Sequence, residues 1–111
     1  MMIIFHLTNK TDWETAQPSG EYEAPSLAEE GFIHCSKDLP QLLRVAARLY
    51  QGRTDLQVLD LDLEKLDSLV KYELSRSGEV YPHIYGKLNF SAVLRVRDLG
   101  VDSRGQHFLE E

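Results

Sequence analysis

The stretch Gly31-Phe-Ile-His-Cys-Ser-Lys-Asp-Leu-Pro-Gln-Leu-Leu-Arg-Val-Ala-Ala-Arg-Leu-Tyr-Gln-Gly52 decides the fold. Phe32 to Cys35 is short, apolar and rich in β-formers, so it predicts a strand. Ser36 reads as an N-cap, and Pro40 is tolerated in the first turn of a helix. Leu39, Leu42, Leu43, Ala46, Ala47, Leu49 and Tyr50 form one apolar stripe at helical spacing. Gly52 stops the pattern, which predicts a main helix over about 37–51.

Working outward, Met2 to Leu7 reads as a first strand. Thr11 or Asp12 is placed to cap a short helix that Pro18 and Gly20 end. Ser26-Leu-Ala-Glu29 has capping-box spacing, with Gly31 as its C-terminal glycine. On the other side, Leu56 to Leu63 is an imperfectly alternating, largely buried strand, with Asp62 capping a short turn. Val70 to Leu74 is another strand. Tyr81 to Gly86 is strand-like but holds Pro82, which predicts an edge or a bend. In Ala92 to Leu99 the apolar face is Ala92, Leu94 and Val96, while Val93, Arg95 and Arg97 form a partly wet face. Gly100 to Glu111 is a polar tail expected to fray. Strands at both ends around one long helix predict a small α+β single domain, 1–99, with a mixed or mostly antiparallel sheet.

The chain has 111 residues, 42% hydrophobic and 27% charged, enough for one modest core and one domain. No apolar run reaches membrane-spanning length, and the first residues lack the pattern of a secretory signal. With a single cysteine, Cys35, no internal disulfide forms, and a reducing cytoplasm is the expected setting. The net charge is −6, with 18 acids against 12 bases. Residues 1–30 carry six of the acids and one base. Duplex nucleic acid is not an expected partner, since phosphate neutralisation needs clustered Lys and Arg. Neither is a membrane, and a monomer is expected.

Three of the four histidines, His6, His34 and His83, sit among apolar residues in strand contexts. A buried imidazole costs free energy unless both nitrogens find partners. Each is therefore either a satisfied structural group, or the three meet at strand ends in one pocket. The expectation is that they line a common cleft, with His107 exposed in the tail. No metal site is expected: the spacing of His6, His34, Cys35 and His83 is not that of a zinc site, and adjacent His34 and Cys35 face opposite ways. Cys35 then faces the core as a small hydrophobe. Ser36 is a cap or, at a helix N-terminus, an anion contact. Tyr81 to Asn89 reads as a packed edge strand or as a ligand wall. In the second reading Tyr85 stacks on a base, His83 and Asn89 hydrogen-bond and Lys87 meets phosphate. Glu73 is a solvated strand carboxylate, or a general base or ribose contact.

The series HLT (6–8), Trp13, Tyr22, Ser26-Leu27, EGFIHCS (30–36), YQGRTDL (50–56), Tyr72-Glu73, YPHIYGKLN (81–89) and AVLRV (92–96) resembles a bacterial family known as domain of unknown function 952. That family is in turn remotely similar to the ADP-ribosyltransferase fold, including RNA 2′-phosphotransferases. The resemblance implies a split, mostly antiparallel sheet holding NAD in its crevice. It places His6 at the first-strand position that touches the nicotinamide ribose, with His34 and His83 at later catalytic positions. Glu73 is the candidate for the transferases' glutamate. The implied function is an NAD-linked or ADP-ribose-binding enzyme, or a degenerate relative. The alternative is a non-catalytic ligand-binding or protein-interaction module.

Overall fold

The computed structural model describes residues 1–109. In chain order it has β1 (Ile3–Asn9), α1 (Lys10–Ala16), β2 (Glu21–Tyr22), α2 (Pro25–Glu30), β3 (Ile33–His34), α3 (Leu39–Leu49), β4 (Leu56–Asp62), β5 (Leu69–Leu74), β6 (Val80–Tyr85), β7 (Leu88–Asn89), β8 (Val93–Asp98), β9 (Gly100–Val101) and β10 (His107–Phe108). Two three-stranded sheets, β1-β4-β8 and β3-β6-β5, form the body, with two short pairs, β2-β7 and β9-β10. Among the described residues every ladder is antiparallel. The fold is α+β.

One short main-chain bridge joins the two large sheets. Ser36 N–H donates to the Phe5 carbonyl at 2.7 Å, and Phe5 N–H returns to the Ser36 carbonyl at 2.9 Å. This exchange explains why Ser36 is not the cap of α3. A residue paired to a strand through both main-chain groups lies too far upstream to satisfy the first helical amides. Asp38 does so instead, its carboxylate accepting from Gln41 N–H at 2.8 Å. The helix therefore runs 39–49, shorter than the expected 37–51.

Other caps moved for similar reasons. β1 continues to Asn9, so Asn9 rather than Thr11 or Asp12 caps α1. Its carboxamide oxygen accepts from Asp12 N–H, and its amide donates back to the Asp12 carboxylate, both at 2.9 Å. In α2 the fixed φ of Pro25 starts the helix. Ser26 is not in a capping box; its hydroxyl donates to the Phe32 carbonyl at 2.8 Å across the Gly31 turn. Gly31 there has φ +88°, a conformation that costs glycine little.

The core has two parts, one on each face of β4. Leu59 and Leu61 pack with Ile4, Tyr22, Ile33, Ile84 and Leu88 between the sheets. Leu56 and Val58 pack under α3 with Leu42, Ala46 and Leu99. A central strand covered on both faces reads as nearly continuous apolar sequence, which accounts for its imperfect alternation.

Three expectations change. β6 is the central strand of its sheet, not an edge, despite Pro82. Pairing with β3 ends at His34↔His83, and beyond it Pro82 contributes only its carbonyl, accepting from Cys35 N–H at 3.0 Å. The face of β8 is the reverse of that expected: Leu94 and Val96 are 42% and 38% exposed. The register skips Leu94, pairing Asp60 with Arg95 and Leu61 with Val93. This bulge turns Arg95 and Arg97 onto the buried carboxylate of Asp60, at 3.2 and 2.8 Å. A buried carboxylate needs such partners, and that need outweighs the apolar pattern. Third, the segment expected to fray carries the β9-β10 hairpin through residue 108, while Glu110 and Glu111 lie outside the described residues. Leu99 and Leu109 pack against the α3 cluster and hold the hairpin to it. His107 is half-buried rather than exposed, its Nε2 donating to the Arg53 carbonyl at 3.1 Å.

Candidate functional site

The end of β1, α2, the last turn of α3 and the outer face of β3-β6 enclose an open cleft of about 600 Å³. His6, His34, Ser36 and His83 all lie on its walls, joined by Tyr22, Tyr50, Tyr81, Arg48 and Arg53. Strand alternation sets these positions. Ile33 and Ile84 point into the core, so their neighbours His34 and His83, paired across β3-β6, point outward. On β1 the buried residues are Ile4, His6 and Thr8, which brings His6 to the cleft's inner end.

His6 is fully enclosed, and both of its nitrogens are engaged. Nδ1–H donates to the His34 carbonyl at 2.6 Å, which assigns the tautomer because a carbonyl only accepts. Nε2 therefore accepts from the Tyr22 hydroxyl at 3.0 Å, and that hydroxyl in turn contacts the Thr8 hydroxyl at 2.9 Å. Burial pushes the His6 pKa down from 6.5 to about 4 and that of Tyr22 up to about 12. At neutral pH this is a neutral, hydrogen-bonded wall.

His34 and His83 differ from it. The His34 ring is 54% exposed, and its Nε2–H donates to Glu30 at 2.6 Å. Its centroid lies 5.2 Å from that of His83, edge to face. His83 is buried, with 9% of its surface exposed, stacks on Phe32 at 4.1 Å, and places Nδ1 2.8 Å from Glu73. Glu73 also accepts from the Tyr85 hydroxyl, and these two hydrogen bonds, Tyr85's first, hold its pKa below the ordinary carboxylate range.

Glu73, Tyr85, Lys87 and Asn89 do not line the cleft. Glu73 and Tyr85 stand beside His83 on the same face of the sheet. Lys87 is exposed elsewhere. The Asn89 side chain is spent on structure: its oxygen accepts from Asp67 N–H at 3.0 Å, and its amide donates to the Lys65 carbonyl at 2.9 Å. Cys35 is buried, and burial pushes its thiol pKa up, away from nucleophilic use. Among the described residues no three His, Cys, Asp or Glu side chains are grouped to hold a metal ion, and no helix is long and apolar enough to cross a membrane.

Sequence reasoning passed over Tyr22, Glu30 and Phe32 as site groups. Phe32 had a usable signal, since it shares the strand face of His34 two residues on. Tyr22 had none, because its partners His6 and Thr8 are set by how β2 folds over β1, whereas Glu30 meets His34 only four residues on, across the Gly31 turn.

Fold and cleft together define a small split-sheet α+β domain with a histidine-walled pocket. The chain belongs to the family described as protein of unknown function (DUF952), which it matches over residues 7–96. It is similar to the crystal structure of protein CC0527 from Caulobacter crescentus, at 32% identity and TM-score 0.86, covering 96% of this chain and 93% of that one. A solution NMR structure of CC0527 gives 33% identity and TM-score 0.81, with coverage of 96% and 91%. No curated protein matches the chain.

Proposed function

We propose that the cleft binds a small phosphorylated nucleotide of the NAD or ADP-ribose class. The chain would act as an ADP-ribosyltransferase-like enzyme, or as a relative that keeps the binding alone. One observation carries this reading: imidazoles, tyrosines and two arginines, with the carboxylates of Asp12, Glu29 and Glu30, share the walls of a single cleft of about 600 Å³, within the roughly 300–1,000 Å³ common for small-molecule sites. In this reading Ser36 and His34 meet the ribose or pyrophosphate. Arg48, in the last turn of α3, supplies positive charge, while Arg53 is paired with Asp55 at 2.6 Å, and Tyr50 offers a flat face to a base. His6, with both nitrogens engaged, shapes the wall. A cytoplasmic setting fits such a ligand and the unpaired Cys35.

An NMR titration with NAD, ADP-ribose and 2′-phosphorylated RNA tests the proposal. Shifts centred on His34, Ser36 and His83 are expected. No shift at millimolar ligand overturns it. A second reading, a non-catalytic interaction module, has its own observation: Leu69 on one face and Tyr72 and Leu74 on the other are exposed along the edge strand β5. It predicts that nucleotides leave the thermal midpoint unmoved while alanine at Leu69 and Leu74 abolishes capture of a protein partner.

A further inference from the structure

Of the four histidines, His34 and His83 each hold a carboxylate on one ring nitrogen and leave the other without a hydrogen-bond partner among the described residues; His83 is the buried one of the two. His6 has both nitrogens engaged inside the protein. His34 spends Nε2 on Glu30 at the surface, and His107 spends Nε2 on the Arg53 carbonyl. His83 contacts Glu73 through Nδ1, and its Nε2 has no hydrogen-bond partner among the described residues. Yet that Nε2 is not sealed in: the buried side-chain atoms left unpartnered there are Gln57 Oε1 and His107 Nδ1. His83 lines the cleft, and Glu73, which holds its Nδ1, does not.

We propose that His83 and Glu73 form a proton-accepting dyad, in which Glu73 holds Nδ1–H and leaves Nε2 as the base of the cleft. The Tyr85 hydroxyl helps to keep Glu73 ionised, so the carboxylate only accepts and the Nδ1 proton belongs to His83. Phe32, nearly parallel at 18°, packs against the ring and fixes its plane. The other charged or titratable groups facing the pair are His34 on β3, the cross-strand neighbour Lys71 on β5, and Tyr81 and Tyr85 on β6. When a bound hydroxyl gives its proton to Nε2, the ring becomes an imidazolium and Glu73 remains a carboxylate that stabilises it. Glu73 is thus a positioning residue. The dyad stands without the nucleotide reading; the identity of the hydroxyl as a ribose hydroxyl rests on that reading.

Two measurements on the full chain separate these parts. At about pH 8, where imidazoles are neutral, ¹⁵N NMR of His83 should show the Nδ1–H tautomer. Glu73→Ala should shift it towards Nε2–H. Glu73→Gln, whose amide oxygen still accepts, should preserve the wild-type tautomer. Diethyl pyrocarbonate, which acylates neutral imidazole nitrogens, should modify His83 at Nε2 and spare His6, with a several-fold slower reaction in Glu73→Ala. A wild-type ring protonated at Nε2, or a tautomer indifferent to Glu73→Ala, overturns the dyad. ADP-ribose should protect His83 from the reagent and inorganic pyrophosphate should not. Protection by neither ligand, or by both, removes the ribose assignment and leaves the dyad standing.

Discussion

Lowering the pH should unfold this protein partly through His6. Its pKa falls from 6.5 to about 4 because the ring is enclosed, which outweighs the opposing hydrogen bond to the His34 carbonyl. A histidine with a depressed folded pKa binds its proton more readily when unfolded. The stability it confers by staying neutral is present above pH 6.5 and is lost as the pH falls towards 4. Each pKa unit is worth about 1.4 kcal/mol, so the full loss is roughly 3 kcal/mol, most of it reached by about pH 4.5. The perturbation is His6→Gln, whose amide can donate to the His34 carbonyl and accept from Tyr22 without titrating. Urea denaturation of both proteins at about pH 7 and pH 4.5 reads the difference. Wild type should lose about 2–3 kcal/mol more than the variant over that interval. Glu73, Glu79 and Asp55, whose folded pKa values are lowered, destabilise both proteins alike in acid and cancel in the comparison. Parallel losses in the two proteins would refute the reasoning.

Tyr22→Phe should cost about 1–3 kcal/mol, because it leaves His6 Nε2 and the Thr8 hydroxyl without their shared partner inside the protein; chemical denaturation measures it. Asp38→Ala should destabilise by about 1 kcal/mol through loss of the α3 cap, while Ser36→Ala should leave helix stability nearly unchanged; the reverse order would restore Ser36 as the cap. Leu99→Ala should cost about 2–5 kcal/mol and raise hydrogen exchange across β9 and β10, since Leu99 joins the hairpin to the α3 cluster.

Locally encoded features were legible in the residues. The apolar stripe from Leu39 to Leu49, the Gly20 and Gly31 turns, the Asp62 cap and the buried β4 all follow from period, cap chemistry or positive φ. Neighbours in the chain determine such signals, so sequence alone carried the α+β class and the main elements. Alternation likewise set His34 and Cys35 on opposite sides of their strand, while the pairing of β3 with β6 put His34 and His83 on a common one. What stayed hidden depends on partners far away in the chain. The bond between Phe5 and Ser36 moved the helix cap to Asp38. The buried charge of Asp60, 35 residues before Arg95, turned β8 over. The pocket has the same origin: His6 meets the His34 carbonyl across 28 residues, and His83 meets Glu73 across ten. The cost of an unpaired buried polar group determines each of these choices. That cost depends on which groups packing leaves inside, so the histidines' roles were decided only by tertiary structure.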